Sequence, residues 1–325
     1  MASLFESDPR WGALIPPEVQ TAIIEAAIQG SDVLRRFRRL PNMTGRQTIF
    51  NVRSGLPTAG AVRPISDATN NKKPVTTQKF DPRNMYAGEF AAIKLFNDAD
   101  LADALSNGND IIREDIPILS AQFGAAIDRA VIWGDPAFTP SEWSSVPSLW
   151  ERADASGNIV EQTSAAATYQ EIFGTDGVRD KIIMTGYMPN GVLSAVNMMG
   201  MLDGITDSSG RPIFVETLQG TYPYALRGFP LDFSRNGSWD IDKAYLLMAD
   251  FDRLVYSIRE DITWRITRDG TIEDGAGVSH NLAQENMTAL IMHMRLGWQV
   301  LDPVTQMSNN PVPFAFYGPE VVPGP

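Results

Sequence analysis

Cysteine is absent from this chain. That single absence removes disulfides, thiolate nucleophiles, iron–sulfur clusters and Cys-type zinc sites. Histidine is nearly absent. His280 and His293 are the only two, so a His-based triad or metal centre has to use one of them. No apolar run reaches the roughly 18 residues of a membrane helix. The N-terminus has no basic segment followed by an apolar stretch, so no secretory signal is expected, and the protein should be made and kept in the cytosol. Positive charge is short too: 27 Lys and Arg stand against 39 Asp and Glu, a net charge of -12. Such a surface repels nucleic acid on average and leaves DNA contact to local basic patches. No phosphate-binding glycine loop is present.

What remains is a globular composition. The 325 residues are 43% hydrophobic and 20% charged, enough for one large domain or two ordinary ones. Pro16-Pro17 permits a helix start just after it, and Glu18 to Ile28 reads as helical. A basic cluster follows: Arg35, Arg36, Arg38 and Arg39. Thr48 to Val52 and Val75 to Phe80 are strand-like, separated by a polar tip with Lys72 and Lys73. Two strands around a tip with so little apolar content predict a long protruding hairpin. A lone hairpin is marginal in water, so a neighbouring molecule should support it.

Phe90 to Leu95 predicts a strand and Asn97 to Leu105 a helix. A longer helix is predicted over Asp110 to Trp133, where Ile112, Ile116, Leu119, Phe123, Ile127 and Ala130 form one face. Pro117 should kink it or mark its first turn. Ala166 to Arg179 and Asn190 to Leu202 read as helices, and Ile182 to Met184 as a strand. A turn at Asp207 to Pro212 precedes a strand at Ile213 to Val215, and Ala244 to Met248 reads as a further strand. Arg253 to Arg268 alternates in two phases and reads as paired strands, with Asp269-Gly270 as a hairpin turn. Asn286 to Arg295 is a helix or a long strand. Trp298 to Leu301 closes the series, and the chain from Pro311 reads as an extended tail.

The chemistry-bearing residues do not assemble into a catalytic set. Glu114-Asp115 and Glu260-Asp261 are adjacent pairs, and adjacent side chains point apart. Asp269 to Gly275 resembles a calcium loop but lacks alternating ligands and the terminal glutamate, so a solvated turn is expected. Met198, Met199, Met201, Met292 and Met294 read as pliable packing surface. The four arginines suit either nucleic-acid phosphates or the carboxylates of a protein surface. No cofactor and no metal is expected, and the chain does not read as an enzyme.

The order of elements resembles tailed-bacteriophage major capsid proteins of the Hong Kong 97 type. The resemblance is carried by Leu14 to Glu18, Phe90 to Asp98, Ile127 to Asp135, Asp207 to Pro212 with Leu226 to Pro230, and Asn286 to Leu290 with Arg295 to Val300. It implies an α+β capsid fold: an N-terminal arm and helix (1–46), an extended loop (47–88), a peripheral domain with a spine helix (89–140), an axial domain (141–250), a peripheral return (251–310) and a tail (311–325). It also implies self-assembly through pentamers and hexamers into an icosahedral head around double-stranded DNA, in the host bacterial cytoplasm, with no membrane. The implied partners are copies of itself, a portal, a separate scaffolding protein, decoration proteins and DNA on the inner face. The scaffold is expected to be separate because so little chain precedes Gln47, and Met1 argues against a processed start.

Lys72, Lys73, Lys79 and the four arginines are the candidate intersubunit contacts. Some family members join a loop lysine to a neighbour's asparagine, with a glutamate as base. Asn286 falls at the asparagine, but His293 stands where the glutamate is expected, so crosslinking is expected to be absent. An encapsulin-type nanocompartment shell is the alternative within the fold, and an acid/base hydrolase is the alternative outside it.

Overall fold

The computed structural model describes residues 30–60, 75–106, 111–164, 168–205, 224–309 and 311–319. The helix expected over Glu18 to Ile28, Lys72 and Lys73, the turn at Asp207 to Pro212 and the strand at Ile213 to Val215 lie outside them.

The described chain starts with a short helix, α1 (Asp32–Arg36), and a two-residue strand, β1 (Arg38–Arg39). A hairpin follows as β2 (Gln47–Gly55) and β3 (Lys79–Tyr86), paired antiparallel from Gln47–Tyr86 to Gly55–Lys79, and its returning strand, expected over Val75 to Phe80, begins only at Lys79. Then come β4 (Gly88–Asn97), α2 (Asp98–Ser106) and the spine helix α3 (Ile111–Asp128). The spine ends in a π-helical turn, Arg129–Trp133, which Gly134 stops in the left-handed conformation (φ 66°). Pro117 lies inside α3 rather than in its first turn.

The next elements are α4 (Leu149–Ala155), β5 (Ile159–Glu161), α5 (Thr168–Phe173), α6 (Val178–Met184), β6 (Gly191–Ala195) and α7 (Asn197–Asp203). They are followed by β7 (Ala225–Leu226), β8 (Phe229–Ser234), β9 (Leu246–Ala249) and β10 (Leu254–Thr267). The chain closes with β11 (Thr271–Glu273), β12 (Ser279–Asn281), α8 (Leu282–Glu285), β13 (Met287–Val300) and β14 (Phe314–Gly318).

Two larger sheets organise these elements. One runs β1-β10-β13-β4, and the other runs β5-β14-β9-β6-β8-β7. The spine helix lays Ile116, Phe123, Ile127 and Ala130 into a core shared with Met292, Met294 and Leu296 of β13 and Leu193, Phe314 and Phe316 of the second sheet. Alternation along β14 sends Ala315 and Tyr317 to the opposite face. There α5, α6 and α7 form a second core around Ile172, Ile182 and Met198.

Several expectations are corrected. Ile182 to Met184 is the end of helix α6, not a strand. Asn190 to Leu202 is a strand followed by a helix, β6 and then α7. β6 is buried at all five positions between β8 and β9. A strand covered on both faces has no alternation to betray it. β10 is one strand, and its two sequence phases mark register shifts between Ile258 and Glu260 and between Glu260 and Thr263. Asp269-Gly270 leads into an inserted hairpin, β11–β12, rather than directly back. The segment 311–325 is not wholly a tail, since Phe314–Gly318 is a buried strand between β5 and β9.

Candidate assembly surfaces

The hairpin β2–β3 has two unlike faces. Cross-strand partners share a face, so Gln47, Ile49, Asn51 and Arg53 lie beside Tyr86, Asn84, Pro82 and Phe80. Thr48, Phe50 and Val52 lie on the other side with Met85, Arg83 and Asp81. This second face packs inward: Met85 is fully buried with Met43, Ala87 and Val255, and Phe50 rests against them. The first face is open. Ile49 is 59% exposed and Phe80 51%, with Pro82 exposed between them.

The hairpin's root is tied down. The Arg83 guanidinium donates to both oxygens of Asp302, Trp143 Nε1 donates to the Tyr86 carbonyl at 2.9 Å, and Gln299 Nε2 donates to the Asn84 carbonyl at 2.7 Å. Gly297 permits the contact, because a Cβ there would stand 2.7 Å from Met85 Cγ and 2.8 Å from the Tyr86 carbonyl oxygen. The distal half of β3, Lys79 to Pro82, is exposed. Lys79 therefore lies on the exposed part.

The arginine cluster divides in two. Arg35 Nη2 meets Asp32 Oδ1 at 2.6 Å, and Arg36 pairs with Asp232 and lies 5.9 Å from the Phe251 ring centroid. These two are engaged with carboxylates of their own subunit. Arg38 and Arg39 are exposed on β1, which joins the first sheet parallel to β10.

Asn286 caps α8 in a left-handed conformation (φ 51°), and its carbonyl accepts from the Asp98 N–H at 2.9 Å. His293 lies on β13, where Thr263 Oγ1 is 2.8 Å and Glu260 Oε1 3.2 Å from its Nε2. Seven strand residues span about 23 Å. Asn286 and His293 of one subunit therefore cannot meet over one reacting group. The acid pairs also diverge: Asp115 holds Lys94 Nζ at 2.5 Å while Glu114 is exposed, and Glu260 turns to His293. Among the described residues no cluster of His, Asp and Glu is arranged to hold a metal. His280 lies between Glu285 (2.8 Å) and Asp274 (3.4 Å).

Sequence reasoning missed Asp128. It is fully buried and accepts from Ser31 Oγ (2.6 Å), the Asp32 and Val33 N–H groups (2.8 and 3.0 Å) and Asn236 Nδ2 (2.6 Å). Its signal was an acid on the inward stripe of a helix, four residues after Gly124.

A hairpin with Ile49, Pro82 and Phe80 exposed together on its outer face belongs on a subunit whose contacts are completed by other molecules. The class this defines is a building block of a protein shell. The family model for the phage capsid family matches residues 12–305. No curated protein matches the chain. A solved chain from Mycobacterium phage Adephagia is 25% identical with a TM-score of 0.76, covering 91% of this chain and 92% of that one. One from Mycobacterium phage Cain is 28% identical with a TM-score of 0.74, covering 91% and 92%. The capsid of an empty GTA particle shares the fold at 15% identity, with a TM-score of 0.55 and 89% of each chain covered. The chain belongs to the phage capsid family and is a major capsid protein that forms the phage head.

Proposed function

We propose that the subunit assembles through rings of five and six into an icosahedral head around double-stranded DNA, with the extended hairpin of each copy lying across its neighbour. The observation that carries this reading is the exposure of Ile49, Pro82 and Phe80 together on the outer face of the hairpin. Head-to-tail contacts of this kind repeat around a ring, and weak contacts become strong by repetition. The negative net charge keeps free subunits apart and limits adhesion of DNA to the inner wall.

The role is structural rather than enzymatic. A portal, a separate scaffolding protein, decoration proteins and packaged DNA complete the set of partners, and assembly takes place in the host bacterial cytoplasm. Arg38 and Arg39 are the arginines available to DNA or scaffold, since Arg35 and Arg36 are held by Asp32 and Asp232. Subunits are not covalently crosslinked, because the base position holds His293. Deleting residues 68–74 tests the hairpin's role. Soluble subunits without shells are expected, and shells of normal form would overturn it.

A further inference from the structure

The root of the N-terminal arm is seated on the spine helix with almost no space between backbones. A Cβ on Gly124 would stand 2.6 Å from the Gly30 carbonyl carbon, and one on Gly30 would stand 3.0 Å from Ala121 Cα. One turn further along α3, Asp128 receives the Ser31 hydroxyl and the first N–H groups of α1. Asn236 completes the seat. Its Nδ2 donates to Asp128 Oδ2 and to the Gly30 carbonyl, both at 2.6 Å. Ser234 Oγ and Ser238 Oγ donate to Asn236 Oδ1, which fixes the amide's orientation.

Within this seat the charges do not balance. Among the described residues, Asp32, Asp128 and Asp232 face the guanidinium groups of Arg35 and Arg36. From the spine helix, Arg129 turns away to the Gly237 carbonyl at 2.9 Å, and Arg235 after β8 is exposed on the wall of the adjoining cleft. Both oxygens of Asp128 are filled by donors. Asp32 Oδ1 is held by Arg35, and the Ser234 hydroxyl lies within reach of both Asp32 and Asn236 Oδ1. Given to Asp32, its hydrogen favours the carboxylate, against the burial that raises it.

We propose that Asp32 and Asp128 form a proton-gated latch that fixes the arm root on the spine helix, closed while the pair holds one proton and loosened when both carboxyls ionise. Burial, reinforced by the charge of Asp32, pushes the Asp128 carboxyl up to about 7, and burial raises Asp32 as well. A raised acid binds its proton in the closed state. The latch is therefore strongest in acid and weakens as pH rises through neutrality. The direction in which each arm leaves its subunit thereby becomes sensitive to the pH at which the shell is formed or held.

Hydrogen exchange of the full-length protein tests this. Protection of the amides of residues 31–36, corrected for intrinsic exchange chemistry, should fall about tenfold between about pH 6 and about pH 8, while β9 stays constant. Asp32→Asn keeps the shape and removes the charge that reinforces the shift of Asp128, so the loss of protection should move to lower pH. Asp232→Asn removes one negative charge and should move the loss of protection to lower pH. A flat wild-type profile overturns the latch, and so does an Asp32→Asn or Asp232→Asn profile that does not move. The wild-type profile decides by itself if a variant does not fold.

Discussion

Arg83 and Asp302 form a two-pronged ion pair, Nε to Oδ1 and Nη2 to Oδ2, each at 3.2 Å. The pair joins the returning strand of the hairpin to the chain just after β13, and Arg152 approaches the same carboxylate at 3.6 Å. Asp302→Ala leaves two guanidinium groups facing each other at the hairpin root. The expected cost is about 3 kcal/mol, read from denaturant unfolding of the unassembled subunit. An unchanged midpoint would remove the pair from the account of how the hairpin is aimed.

The outer face of the hairpin should matter for assembly and not for folding. Phe80→Asp and Ile49→Asp should leave subunit stability within about 0.5 kcal/mol, because both side chains are mostly exposed. The same variants should fail to form shells. Variants that assemble normally would show that this face stays uncovered in the head.

Met85 offers the opposite pattern. It is fully buried on the inner face of the hairpin, and Met85→Ala should cost about 2–5 kcal/mol as a cavity opens. Thermal unfolding of the subunit reads this directly, and a loss well under that range would mean the hairpin root is not packed as described.

His280 should make the β11–β12 hairpin sensitive to pH. Hydrogen bonds to Glu285 and then Asp274 raise its imidazole above the ordinary 6.5. A raised folded value means the contribution is complete below about 6.5 and is lost as pH rises through the raised value. Amide protection in β11 and β12 should fall across that window and become independent of pH in His280→Gln. The same slope in the variant would assign the effect to another group.

The two arginine pairs should separate by function. Arg38→Gln with Arg39→Gln should change DNA retention or scaffold recruitment while leaving the subunit as stable as before. Arg36→Gln should destabilise it by leaving Asp232 only the longer contact to Arg35 at 3.9 Å. Equal effects on packaging from both pairs would contradict the division.

The first strand of the hairpin and the spine helix were legible because each follows a local rule, whereas β10 read as two strands and β13 stood open between helix and strand. Ile116, Phe123, Ile127 and Ala130 recur at helical spacing, and Leu254 to Thr267 alternates until its bulges shift the phase. What escaped was set by distant partners. Gly191 to Ala195 is a strand because β8 and β9 enclose it, and Phe314 to Gly318 is one because β5 and β9 flank it. Ile182 to Met184 has strand-like residues, but Gly177 starts a helix that carries through them. Arg35 and Arg36 look identical to Arg38 and Arg39 in sequence. Only folding brings Asp232 to Arg36, from nearly two hundred residues away. Asp128 escaped for the same reason, since its donors come from α1 and from the loop after β8.

Electron microscopy of the purified wild-type protein beside Phe80→Asp, with the scaffolding protein supplied to both, tests the central claim most directly. The account predicts closed shells, tubes or capsomer rings from the wild type and dispersed, folded subunits from the variant. Shells of normal size and form from Phe80→Asp would contradict it, as would a wild-type protein that stays monomeric at high concentration with its scaffold present.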